Sequence, residues 1–143
     1  MLWFTIWLED EIRKRYKKYM RKEFRENFLV NTFHVTRILN KSKHSTKTLS
    51  ELLQFKGNIM LDSGGFIYQI KGKPLPSVEE YYNIVNKHKP DIVVALDYPL
   101  DPLHKHKNKM RIMKTLENLK EIQDKFSSLK VNIMPVILSL IHI

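Results

Sequence analysis

The 143-residue sequence contains no cysteine, which excludes disulfide bonds and thiolate metal sites within it and is typical of a reducing compartment. With only 4 glycines and 6 prolines, a fibrous or low-complexity chain is also excluded. The apolar opening, residues 1–8, is too short to span a membrane, has no basic leader, and is followed directly by acidic residues. We therefore expect a cytoplasmic protein with one ordinary folded domain.

Acidic residues are few compared with basic ones, at 15 against 25, and the net charge is +10. Such a surplus favours a polyanionic partner, most simply a nucleic acid, although net charge alone is a weak indicator. Residues 9–27 are dense in charge, with eight basic and five acidic side chains, and Ile12, Tyr16, Tyr19 and Met20 recur there at helical spacing. We expect a basic amphipathic helix in the segment 1–27. Its charged face either is simply solvated or contacts phosphates, and the sequence leaves both interpretations open.

After residue 27 the pattern predicts strands and helices in alternation. Short apolar or β-branched runs predict strands, and a capping-box pattern at Ser77 and Glu80 opens a helix with one apolar face. The units repeat about every 30–40 residues, as in parallel βαβ crossovers. Either an open doubly wound sheet or part of an eight-stranded barrel satisfies this order. The predicted strands are residues 28–35, 58–62, 92–97 and 131–137, and the predicted helices are 45–55, 78–85 and a longer one with a stripe formed by Ile112, Leu116, Leu119, Ile122 and Phe126.

Two of these strands end on an aspartate. Asp62 closes one apolar run and is followed by Ser63, Gly64, Gly65 and Phe66, while Asp97 closes the next. In parallel α/β folds the carboxyl ends of neighbouring strands face one pocket, and a carboxylate placed there is suited to proton transfer or to binding a donor-rich ligand. The glycines would let a flat ligand approach the backbone, and the aromatic ring could stack on it. The alternative interpretation is that both aspartates only cap turns.

The run from Leu61 to Phe66 resembles the Asp-Ser-Gly-Gly-aromatic signature of tRNA-guanine transglycosylases, and the run from Pro90 to Asp97, with Pro99 after it, resembles their next strand. The resemblance covers residues 28–137 and implies a (β/α)₈ barrel, of which these residues form about the first four units. It also implies a pentosyltransferase that replaces a guanine with a 7-deazaguanine, as in queuosine formation. Asp62 matches the acid/base carboxylate. The residues that match the substrate-binding positions of the family are Ser63, Gly64, Gly65, Phe66 and Asp97.

The same resemblance implies that the nucleophilic aspartate and a cysteine-rich structural zinc site lie beyond residue 143, so we expect no cofactor or metal in these residues and an inactive fragment. One choice of codons for residues 138–143 spells the end of a transposon adapter used in sequencing libraries, so we expect that tail to be non-native. The implied partners are tRNA, or DNA in a phage-like relative, and a purine or 7-deazaguanine base, with a homodimer as a further expectation and no membrane. A non-catalytic nucleic-acid-binding protein, or an unrelated barrel enzyme acting on a small molecule, remains the alternative.

Overall fold

The computed structural model describes residues 3–5, 27–39 and 46–137. These contain five strands: β1 (Phe4–Thr5), β2 (Asn27–Asn31), β3 (Asn58–Asp62), β4 (Ile92–Val94) and β5 (Asn132–Met134). Five α-helices connect them: α1 (Thr32–Leu39), α2 (Leu49–Leu53), α3 (Gly65–Ile70), α4 (Val78–His88) and α5 (Asn108–Lys125). Single 3₁₀ turns flank α5 at Lys105–Lys107 and Phe126–Ser128.

All strand pairs are parallel, and the strands lie in the sheet in their order along the chain, β1-β2-β3-β4-β5. A doubly wound sheet would reverse its strand order at a switch point, whereas a barrel keeps the chain order throughout. The fold is therefore part of a (β/α) barrel, as the resemblance implied. Within the described ranges no helix is both long enough and apolar enough to cross a membrane.

Alternation along the strands separates two faces of the sheet. Phe28 and Val30 of β2 and Ile59 and Leu61 of β3 are buried in the core cluster that the helices cover. Because successive side chains point to opposite faces, Asn31 and Asp62 lie on the other face, which is the interior of a closed barrel. These two residues are also partners in the register of β2 and β3. The strand register thus sets two polar side chains next to each other at the carboxyl edge.

The capping box predicted at Ser77 and Glu80 is confirmed, with the Ser77 side chain accepting from the N3 amide and the glutamate accepting from the N-cap amide. Thr48 and Glu51 form a second complete capping box, which was not predicted. On α4 the buried residues include Val78, Tyr81 and Val85, as the helical spacing indicated.

Several predicted bounds are wrong. The strand predicted over residues 28–35 ends at Asn31, and a helix begins at Thr32 because the Asn31 side chain accepts from the Phe33 amide, as an N-cap does. Phe4–Thr5 and Asn27 belong to strands, so the segment 1–27 is not helical throughout. Residues 6–26, which carry the predicted basic helix, and the tail 138–143 lie outside the described residues. Leu116 is 59% exposed, since Thr115 takes the buried position on α5.

Candidate active site

The two aspartates predicted at the strand ends do lie together at the carboxyl edge of the sheet. Asp62 is the last residue of β3 and is half-buried, while Asp97 follows β4 by three residues and is only 9% exposed. They are close enough for the charge of Asp97 to raise the pKa of Asp62. The structure therefore brings together the two acidic residues that the sequence singled out.

Ser63 connects the two strand ends. Its hydroxyl is buried and donates to Asp97 Oδ1 over 2.5 Å, and its Oγ accepts from the Gly65 amide at 3.2 Å. Burial raises the pKa of the Asp97 carboxyl, and the hydrogen bond from Ser63 opposes this rise. Ser63 consequently fixes the Asp97 side chain in one orientation and stabilises its charged form.

Glycine is required at positions 64 and 65 because neighbouring atoms lie too close to leave room for a Cβ. Gly64 has φ +78°, a left-handed conformation, and a Cβ on it would lie 2.8 Å from Asn31 Oδ1. A Cβ on Gly65 would lie 2.5 Å from the backbone oxygen of Asp97 and 2.9 Å from its Oδ1. Real Cβ atoms essentially never make contacts this short, so the loop can approach Asn31 at position 64 and Asp97 at position 65 this closely only with glycine there.

Asp62 is held by the loop and by the neighbouring strand. Its Oδ2 accepts from Asn31 Nδ2 at 2.7 Å and from the Gly64 amide at 3.1 Å, and its backbone oxygen accepts from Thr32 Oγ1. Burial is the largest influence and raises the pKa of Asp62. The Gly64 amide lowers it, the charge of Asp97 raises it, and the Asn31 amide lowers it again. A carboxyl with a raised pKa and a fixed position is suited to receive and return a proton.

Phe66 lies on the first turn of α3, directly after the glycines, and its side chain is 65% exposed. Single exposed apolar side chains are common on protein surfaces, so this exposure shows only that the ring is free to contact a ligand. Because the preceding residue, Gly65, packs directly on Asp97, Phe66 begins the first turn of α3 close to that carboxylate. The arrangement can hold a planar ligand that has N–H groups along one edge.

Asn31 and Tyr81 belong to the site, and neither was predicted. Because Asn31 Oδ1 accepts from the Phe33 amide, its Nδ2 must be the group that faces Asp62. The signal was available, since Asn31 follows an apolar strand just as Asp62 does. Tyr81 is fully buried, and its hydroxyl donates to the backbone oxygens of Val94 at 2.8 Å and Leu61 at 3.3 Å, joining β3 to β4 just below the site.

No metal-binding group is apparent in the described part of the chain, where no three His, Asp or Glu side chains cluster. His104 lies in the loop before α5 and is about half exposed, and its Nδ1 is 2.8 Å from Asp101 Oδ2. The site is thus built from carboxylates, a hydroxyl, an amide and glycine backbone.

Fold and site together define a (β/α)-barrel protein with paired, desolvated carboxylates at the carboxyl edge of its strands. A family model described as queuine tRNA-ribosyltransferase matches residues 12–139, which is most of the chain. The chain belongs to this family, whose members are enzymes of the glycosyltransferase type. Comparison with individual curated proteins gives no match. Family membership removes the unrelated barrel enzyme from the alternatives.

Proposed function

We propose that this protein takes part in replacing a guanine base of a nucleic acid with a free 7-deazaguanine, the nucleic acid being tRNA. The observation that carries the proposal is the pair of desolvated carboxylates, Asp62 and Asp97, linked through Ser63 at adjacent strand ends. Besides a nucleophile, the reaction needs one acceptor that recognises the base and one group that carries the proton during exchange. The family match supports tRNA as the partner.

Asp97 is the residue that we assign to base recognition. Guanine presents a ring N–H and an amino group along one edge, and a carboxylate can accept from both. Ser63 occupies Oδ1, which leaves the second oxygen, Oδ2, to accept from the base. The face of the base would then stack on Phe66, while the two glycines let its edge come close to the backbone.

Asp62 is the residue that we assign to proton transfer. A protein carboxylate attacks the anomeric carbon, the C1′–N9 bond breaks, and its electron pair leaves on the departing guanine, which needs a proton. The incoming base attacks the same carbon, releases the carboxylate, and gives up a proton. A single carboxyl can donate the first proton and accept the second, and the raised pKa of Asp62 suits it to both. The resemblance implies that the attacking carboxylate is a further aspartate, distinct from Asp62 and Asp97.

The alternative is a protein that binds tRNA without catalysing a reaction, and a base-exchange assay distinguishes it from the enzyme. We would incubate the protein expressed from the complete reading frame with labelled guanine and either tRNA or duplex DNA, and measure label in the polymer. Label is expected in tRNA. Label in DNA alone would replace tRNA by DNA as the substrate, and label in neither would overturn the proposal.

The variant Asp62→Asn tests whether Asp62 transfers the proton during base exchange. It keeps the size of the side chain and an oxygen that accepts from Asn31 and Gly64, but it cannot carry the proton. We expect exchange to fall by at least about 100-fold, the lower range for general acid–base catalysis, with tRNA binding unchanged. Asp124→Asn, at an exposed position on α5, is the matched control and should exchange normally. Equal rates for the two variants would remove Asp62 from the mechanism.

A further inference from the structure

A cavity of about 240 Å³ lies beside Asp97, between α3, the loop after β4 and the beginning of α5. Gly65 and Pro99 line it. Because a Cβ on Gly65 would touch both Asp97 and Pro99, Gly65 lies between this cavity and the Asp97 carboxylate. The proposed function does not use the cavity, although a ligand at Asp97 would be directly next to it.

Cationic side chains supply most of the charge in the lining. Lys107, Arg111 and Lys114 line the cavity, and no acidic residue does. Lys107 is the N-cap residue of α5, and Arg111 and Lys114 follow it at i+4 and i+7, so the three side chains lie on one side of the start of that helix. The residues that line the cavity therefore carry three positive charges and no negative one, which favours the binding of an anion.

Arg111 lines the cavity with a side chain that hydrogen bonds hold in place. Its Nη1 donates to Gln69 Oε1 at 2.6 Å and to the Pro99 backbone oxygen at 2.5 Å, and its Nη2 lies 3.7 Å from Asp101 Oδ2. These contacts hold the guanidinium against α3 and the loop after β4. The charge is partly balanced by Asp101, so the two lysines have to provide the remaining attraction for an anion.

Lys107 and Lys114 carry that remaining charge. Both are exposed, and within residues 3–5, 27–39 and 46–137 neither forms an ion pair with a carboxylate. The Lys114 ammonium lies 5.5 Å from the centroid of the Tyr98 ring, which steadies it over the loop after β4. Two ammonium groups and a guanidinium that converge on one concave surface form a suitable environment for a phosphate.

We propose that this cavity binds a backbone phosphate of the nucleic acid whose base is held at Asp97. The proposal rests on the proposed function, because the same polynucleotide has to occupy both places. A base that enters the site must leave its stack, which turns its backbone toward the protein surface. A phosphate bound beside Asp97 would hold the extruded nucleotide in position while the base is exchanged.

The test uses guanine-containing hairpins of RNA and of DNA with the same sequence, and measures their Kd as a function of salt concentration. The double variant Lys107→Gln/Lys114→Gln removes both ammonium groups. Lys109→Gln/Lys120→Gln, on the same helix but away from the cavity, removes the same charge. Each phosphate contact that is lost should make the dependence of log Kd on log salt shallower by about 0.7 for single-stranded nucleic acid. Because both lysines contact the same phosphate, the first double variant should lose roughly 2.5-fold less affinity than the wild type between 0.05 and 0.2 M salt.

A chemical change in the hairpin identifies the phosphate itself. We would replace the phosphates next to the guanine one at a time with neutral methylphosphonates. At one position the replacement should weaken binding to the wild type and to the control variant, yet leave binding to Lys107→Gln/Lys114→Gln unchanged. The proposal is overturned if the two double variants have equal salt slopes, if no single phosphate is coupled to the lysines, or if the wild type binds neither hairpin.

Failure of this proposal and failure of the proposed function give different results. If exchange depends on Asp62 but no phosphate is coupled to the lysines, the phosphate site alone is refuted. If a phosphate is coupled to the lysines but Asp62→Asn exchanges as fast as the wild type, the phosphate site stands and the assignment of Asp62 falls. Coupling in the RNA hairpin alone, or in the DNA hairpin alone, supports the site and identifies which polymer supplies the phosphate.

Discussion

Replacing Gly65 with alanine tests how closely the glycine loop must approach Asp97. The added Cβ would lie 2.5 Å from the Asp97 backbone oxygen, 2.9 Å from Asp97 Oδ1 and 3.0 Å from Pro99 Cδ. The first contact is with backbone, so no side-chain rotation can relieve it. The Gly65 amide is also bonded to Ser63 Oγ, and the loop cannot retreat without weakening that bond. Asp97 and the loop must therefore move apart.

The expected size of the effect follows from these contacts. Overpacking of this kind costs about 1–3 kcal/mol. Alanine is a better helix former than glycine by up to about 1 kcal/mol, which offsets part of that cost at the start of α3. We expect the free energy of unfolding to fall by about 1–2 kcal/mol. A displacement of Asp97 approaching 1 Å should reduce base exchange by about 10- to 100-fold.

The assay combines urea denaturation with guanine exchange, and Gly72→Ala is the matched control. Gly72 also has a positive φ, +59°, but a Cβ there would meet nothing within 4 Å. Its substitution should cost about 1 kcal/mol of backbone strain and leave exchange unchanged. If Gly65→Ala exchanges guanine at the rate of Gly72→Ala, the close packing of Gly65 on Asp97 has no functional role and the reasoning is refuted.

Two further predictions concern hydrogen bonds below and within the site. Ser63→Ala removes the donor to Asp97 and should lower the free energy of unfolding at pH 7 by about 1.5–3 kcal/mol in urea titrations, whereas exposed Ser127→Ala should change it little. The lost bond lowered the pKa of Asp97, so in the variant this pKa rises further above its value in the unfolded chain. The loss in free energy of unfolding should therefore grow as pH rises through the pKa of Asp97 and shrink in acid. A loss that does not depend on pH would contradict this reasoning. Tyr81→Phe should lower the free energy of unfolding by about 1–2 kcal/mol because a buried backbone oxygen loses its donor. A similar loss in the control variant Tyr82→Phe would show that the buried hydroxyl of Tyr81 is not responsible.

Much of the fold could be predicted from local sequence patterns. The capping residues Ser77 and Glu80 fixed the start of α4, and apolar runs ending in Asp62 and Asp97 located two strands and their shared edge. These signals are local, since each depends on residues within one turn or one strand. The sheet order could not be read in this way, because an open sheet and a barrel contain the same strand–helix units.

The strand predicted over residues 28–35 shows where local propensity fails. Thr32 and Val35 are β-branched and Phe33 is aromatic, which favours a strand. The capping of α1 by Asn31 and the bond from Thr32 Oγ1 to the Asp62 backbone oxygen stabilise a helix instead. Asp62 is 30 residues away from Thr32, so this contact is invisible to any local pattern.

The site was predicted in its composition but not in its connections. The motif identified Ser63, but the bond from Ser63 to Asp97 spans 34 residues and appears only when β3 and β4 are adjacent. Arg111, whose contacts reach Gln69 across 42 residues, carried no motif at all. Long-range hydrogen bonds of this kind depend on strand order and helix packing, which the sequence alone left open.

The central claim is that a guanine in a polynucleotide is exchanged without breaking the chain, and mass spectrometry of digested tRNA tests it most directly. The protein expressed from the complete reading frame would be incubated with tRNA and free 7-deazaguanine. The account predicts that one guanosine per tRNA is converted to 7-deazaguanosine, that the strand stays intact, and that Asp62→Asn prevents the conversion. Unchanged guanosine, or release of guanine that leaves an abasic site, would contradict it.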